Sequence, residues 1–132
     1  MGLTIRAAGL SCEDTYDCGY LTFGVFRQEL ASLYNAELGE LYKTGLRRQL
    51  TNAEIRRYNE LCNDDLEEFL WHSDHDGKLT WQQCRDVYKV IKDMHMDMIG
   101  HNYGVMKSYN MLEHWKNMFY HCWKRRVTMW FE

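Results

Sequence analysis

A chain of 132 residues with 45% hydrophobic and 14% aromatic residues has the size and apolar content of one folded domain, which excludes a disordered chain. A formal charge of -3 is too mild to announce a nucleic-acid or membrane partner, and no run approaches the roughly 18 apolar residues of a membrane span. Cys12, Cys18, Cys62, Cys84 and Cys122 are an odd set without CxxC spacing and follow no export signal, so free thiols in a reducing compartment are expected.

In chain order, Leu3 and Ile5 alternate with Thr4 and Arg6, which predicts a short strand with one apolar face. Gly2 suits N-myristoylation, but Arg6 stands where that signal has Ser or Thr. Residues 7–19 carry Ser, Asp, Glu and Gly and predict a loop. From Phe23 onward, Phe26, Leu30, Leu33, Tyr34, Leu38, Leu41 and Tyr42 recur at three and four, a helical stripe with Gly45 as its stop. Thr51 to Glu54 has the form of a capping box and opens a helix that buries Ile55, Tyr58, Leu61 and Cys62. Asp64 or Asp65 then caps a short helix carrying Leu66, Phe69 and Leu70.

After a polar run from His72 to Lys78, Thr80 to Gln83 forms a second capping box. Its helix places Cys84, Val87, Tyr88, Ile91, Met94 and Met98 inward, closes at Gly100 and leads into a loose connection at Gly104. A last helix over 110–124 buries Leu112, Trp115, Met118, Phe119, Cys122 and Trp123, and Val127, Met129 and Phe131 mark a closing strand. The expected fold is α+β and mostly helical, about five helices in one domain over 1–132, with a short two-stranded sheet made by the N- and C-terminal strands.

The sharpest local pattern is the 72–83 segment. Asp74 and Asp76 fall at positions three and five of a calcium loop, with Gly77 at the turn and Leu79 at the apolar position. The segment resembles an EF-hand, but His72 and Gln83 stand where the first Asp and the bidentate Glu belong. The expectation is a helix-loop-helix without calcium at cytosolic concentrations. Were any metal held, His72, Asp74, His75 and Asp76 would be its ligands, a set short of the four N or S donors of structural zinc. No nucleophile elbow, phosphate loop, paired-carboxylate motif or HExxH is present, so a non-enzymatic protein without cofactor is expected.

Bases crowd the C-terminal end of the chain, at Lys116, Lys124, Arg125 and Arg126, and a second basic set lies nearer the middle. Arg47 and Arg48 precede a helix that carries Arg56 and Arg57, a set suited to an anion if the side chains converge, and otherwise a solvated basic edge. Aromatic residues exceed what the buried stripes need, and Tyr103, Tyr109 and Trp130 are candidates to grip a base or a partner surface.

The opening MGLTIR, the segment GYLTFGVFRQELASLYNAELGELY and the tail YNMLEHWKNMFYHCWKRRVTMWF are similar to small accessory proteins of bacteriophages and prophages. That resemblance implies a protein of the bacterial host cytoplasm that acts by binding. The leading expectation is sequestration of an anionic nucleotide-like ligand, such as a host-defence signal. The alternatives are direct inhibition of a host defence or regulatory protein and weak EF-hand-like metal binding. A homo-oligomer is expected, while nucleic acid and membrane are not expected as partners.

Overall fold

The structure, a computed structural model, describes residues 2–9, 17–72, 77–94, 102–103 and 106–132. Strand β1 (Gly2–Arg6) and strand β2 (Asp17–Gly19) lead into helices α1 (Tyr20–Tyr34), α2 (Ala36–Arg47), α3 (Asn52–Leu61) and α4 (Asp64–Leu70). Strand β3 (Lys78–Leu79) precedes α5 (Trp81–Ile91). A hairpin of β4 (Asn102–Tyr103) and β5 (Met106–Lys107), α6 (Ser108–Arg125) and β6 (Met129–Phe131) follow.

The terminal strands pair as expected, with Ile5 opposite Phe131 and Arg6 opposite Trp130. The sheet is larger than two strands, however, and runs β2-β1-β6-β3 with every pair antiparallel. Residues 17–19, expected as loop, supply β2, and the polar run after His72 ends in β3. Both are two- or three-residue strands, too short to show a period of two. The alternation decides the faces: Ile5, Leu79, Met129 and Phe131 are buried, while Arg6, Lys78 and Trp130 face out.

The long helical stripe from Phe23 is two helices. Asn35 breaks it by taking an extended backbone, and its side chain accepts a hydrogen bond from the Leu38 amide at 3.0 Å, so α2 begins with its own cap. Gly39 permits the close return of α2 along α1, because a Cβ there would sit 2.5 Å from the Ser32 Cα. Gly45 lies inside α2 instead of ending it. Both capping boxes form as the spacing predicts, at Thr51 with Glu54 and at Thr80 with Gln83. Helix α4 is capped by Asn63 and not by Asp64 or Asp65, whose carboxylates instead favour the positive end of the helix dipole from its first turn. The last helix starts two residues earlier than expected, after the β4–β5 hairpin. Met98, Gly100 and Gly104 lie outside the described residues.

The core gathers on one face of the sheet. Trp115, fully buried on α6, is ringed by Phe69 at 4.8 Å, Phe119 at 5.6 Å, Phe131 at 6.2 Å and Phe26 at 6.3 Å between centroids. Aromatic burial of this kind dominates core energetics, at roughly 1.5–3 kcal/mol for each large side chain. Among the described residues no helix is long and apolar enough to cross a membrane.

Candidate functional site

The four expected arginines sit at the corner where α2 meets α3, but two of them are committed to carboxylates. Arg48 grips Glu54 with both arms of its guanidinium at 2.9 Å, and Glu54 also accepts the Thr51 amide. These donors hold the Glu54 carboxyl down to about 2. Arg57 makes a two-pronged pair with Glu37 of α2 and a further contact with Glu60 at 3.1 Å. The Arg57 guanidinium is raised and the Glu37 carboxyl lowered by that pairing. Arg47 and Arg56 are exposed. The corner is thus a brace between helices whose paired charges are neutralised locally. Trp130 is exposed on β6 with the Lys78 ammonium 5.6 Å from its ring, on the outer face of the sheet. Tyr103 falls in β4 and Tyr109 in the first turn of α6, and their side chains are outside the described part of the structure.

In the calcium-like segment, Asp74, His75 and Asp76 lie outside the described residues. The ends are informative. The His72 ring stacks on Phe131 at 3.9 Å, with its Nε2 3.0 Å from the Lys78 carbonyl. Gly77 has a left-handed backbone with φ of 99°, the turn that the spacing requires. Gln83 turns back to accept the Thr80 amide at 2.8 Å as the third residue of the capping box. Two of the residues that depart from the calcium pattern therefore have structural partners of their own. Among the described residues no three His, Cys, Asp or Glu side chains gather where a metal would bind.

A different surface brings cations and rings together. Helices α5 and α6 pack antiparallel, as contacts at their two ends show: Lys116 of α6 donates to the carbonyl of Met94, just past the end of α5, and Arg126, just past the end of α6, lies over Trp81 at the start of α5. Beside the buried stripes of Cys84, Val87 and Ile91 on α5, and of Trp115, Phe119 and Cys122 on α6, the next positions around each helix carry alternating aromatic and basic residues. The Arg85 guanidinium lies 5.7 Å and that of Arg126 5.4 Å from the centre of the Trp81 ring. The Lys124 ammonium stands 3.9 Å from Trp123 and 5.5 Å from Tyr120, and Lys89 reaches Trp123 at 5.7 Å. Tyr88, Tyr120 and Trp123 themselves form a cluster with centroids 5.4–6.1 Å apart.

Next to this cluster is a groove of about 360 Å³ lined by Tyr88, Lys92, Glu113, Lys116, Asn117 and Tyr120. Lys116 is almost wholly buried, with its ammonium held by the Met94 carbonyl and by Glu113 at 3.2 Å. Among the described residues the acidic partners on this face are Asp86, which meets its neighbour Arg85 at 2.9 Å, and Glu113, which meets Lys116. Arg126 holds its place at some cost. It has φ of 55°, the left-handed cap usually given to glycine, with Val127 N bonded to the Cys122 carbonyl at 3.1 Å. That conformation costs a residue with a Cβ about 1–2 kcal/mol.

Sequence reasoning noted Lys116, Lys124 and Arg126 only as a basic end, and it assigned Tyr88 and Trp123 to the buried stripes. Both are half-buried at the margin of the core, with their rings partly open. The available signal was the four-residue spacing of ring and cation, at Trp81 with Arg85 and at Tyr120 with Lys124.

A second depression, of about 460 Å³, lies at the end of α4 and is lined by Glu67, Glu68, Trp71 and His72. Burial and the neighbouring Asp64 and Glu68 push the Glu67 carboxyl up. Trp71 is 45% exposed and anchored, with its indole N–H donating to the Tyr58 hydroxyl at 2.7 Å. Of the described thiols, Cys84 and Cys122 are fully buried against each other, and their mutual contact with burial pushes Cys84 up, as burial does Cys62. No protein-family model matches the chain, and neither a curated protein nor a solved structure shows significant similarity to it.

Proposed function

We propose that the protein is a non-enzymatic binding protein that holds an anionic, nucleotide-like ligand on the α5–α6 face. The observation that carries this reading is the placement of Lys89, Lys124 and Arg126 on the rings of Trp81, Tyr120 and Trp123. A cation over a ring keeps its full charge, because the ring contributes a quadrupole and no countercharge. Such a pair at an exposed site is worth about 0.5–1 kcal/mol, whereas a base stacked on an aromatic side chain is worth about 1–3 kcal/mol. An arriving base therefore displaces the cation from the ring, and the displaced cation meets the phosphate. The Arg47, Arg48, Arg56 and Arg57 corner is less suited, since Arg48 and Arg57 are neutralised by Glu54 and Glu37.

The resemblance to small phage proteins makes a nucleotide host-defence signal the first ligand to test, in the cytoplasm of a bacterial cell. Thermal-shift measurements against mononucleotides, ADP-ribose and dinucleotides test the reading. A ligand at 100 times its Kd stabilises the folded state by about 2.7 kcal/mol. A rise in Tm that is lost in Lys124→Glu is the expected result, and no shift at millimolar nucleotide overturns it.

A second reading, direct inhibition of a protein partner, is favoured by the acidic depression with its exposed Trp71 anchor. A basic partner captured from bacterial lysate and lost in Trp71→Ala supports it, and capture unaffected by that substitution counts against it.

A further inference from the structure

We infer that the ligand of the α5–α6 face carries two planar groups joined through phosphate, one for each of two ring platforms. The inference rests on the reading that this face binds nucleotide-like anions, and it goes further by fixing how many bases the ligand has. The rings fall into two groups. One is Trp81 with Arg85 and Arg126, and the other is the Tyr88, Tyr120 and Trp123 cluster with Lys89 and Lys124.

On α5, Trp81 and Tyr88 are two helical turns apart, about 10 Å along the axis, on the same side of the helix. A base stacked on one platform does not stack on the other. Arg85 lies between them but is paired with Asp86 at 2.9 Å, so the cation of the Trp81 platform that a phosphate linking two such bases would meet is Arg126. A mononucleotide satisfies one platform and leaves the second cation set without a phosphate.

The backbone at Arg126 supports the same division. A basic side chain occupies the left-handed position after α6, where glycine is unstrained, and it is directed onto the Trp81 ring beside a second guanidinium. A guanidinium set on the indole by a strained backbone, beside an Arg85 already paired with Asp86, makes a place for an anion at the end of the face remote from the 360 Å³ groove.

The test is titration calorimetry on the full chain with adenosine monophosphate, linear 5′-phosphorylated diadenylate, cyclic diadenylate and a six-residue oligoadenylate. Stacking tolerates any base, so adenine is a fair probe. The expected result is dinucleotide binding at least tenfold tighter than monophosphate binding, the gain of a second stacked base. Trp81→Ala and Arg126→Gly should each bring that ratio close to one. Arg126→Gly relieves the left-handed backbone and so keeps the fold, which covers the case of a poorly folded Trp81→Ala. Equal affinity for mononucleotide and dinucleotides, or a ratio that survives both substitutions, overturns the two-platform inference while the proposed function stands. No binding by any probe overturns both. Among positive results, tightest binding of the cyclic form identifies a free signalling dinucleotide, and tightest binding of the oligonucleotide identifies a single strand as the source.

Discussion

The α2–α3 corner and the α5–α6 face both concentrate basic side chains, and they use them in opposite ways. At the corner, Arg48 and Arg57 meet carboxylates in two-pronged geometry, so their field is cancelled within a few ångströms and their effect is to hold α3 against α2. On the α5–α6 face, Lys89, Lys124 and Arg126 rest on rings, which fix the position of each cation without neutralising it. Position on a helix and count of charges do not separate the two regions. What separates them is whether the nearest partner is an anion or a π system.

Charge reversal gives the largest expected contrast. Lys89→Glu combined with Lys124→Glu should raise the Kd for a bound nucleotide about 30-fold, the equivalent of about 1 kcal/mol at each site. Arg57→Glu should leave the same Kd unchanged, and equal losses from the two regions would show that the comparison is wrongly drawn. The two capping boxes sharpen it at smaller magnitude. Thr51→Ala and Thr80→Ala should each lower unfolding free energy by about 1 kcal/mol in urea. Only Thr80→Ala should also weaken nucleotide binding, because the first turn it secures carries Trp81.

The smallest effect is in acid. The Glu54 carboxyl titrates at about 2 in the folded protein and near 4.5 in the unfolded chain, so the unfolded state binds more protons as pH falls. The contribution of the pair is complete above pH 4.5 and is lost on descending toward pH 2. Tm followed from pH 6 to pH 2 should therefore fall less steeply in Glu54→Gln than in the parent. Identical slopes would mean that the Arg48 pair is not formed in solution, where exposed pairs contribute little.

Much of the fold was legible because it rests on signals a few residues long. Thr51 with Glu54 and Thr80 with Gln83 announce two helix starts, and the period of three and four places Phe26, Leu30, Cys84, Val87, Trp115 and Phe119 in the core. The strands at 17–19 and 78–79 were not legible, since they are too short to show alternation and, for 78–79, the partner lies about 50 residues away. The break at Asn35 was missed because the apolar stripe runs through it, while the reason for the break is local: an amide side chain that caps α2. Of the candidate site, the aromatic surplus and the basic C-terminal end were visible. Which ring meets which cation depends on the antiparallel register of α5 and α6, and periodicity within one helix carries no information about register between two.

The position of β6 bears on how the protein is made. That strand lies inside the sheet, between β1 and β3, and its partner β1 comes from the opposite end of the described chain. On a ribosome, helices α1 to α5 emerge and can settle by local contacts while β1 and β3 still present open backbone edges to one another's neighbourhood. The sheet closes only when residues 129–131 have left the exit tunnel, so its zipping comes after the helices and is governed by the slow search of non-local pairing. Until then the nascent chain exposes unpaired strand edges, the feature by which chaperones and neighbouring chains would first recognise it.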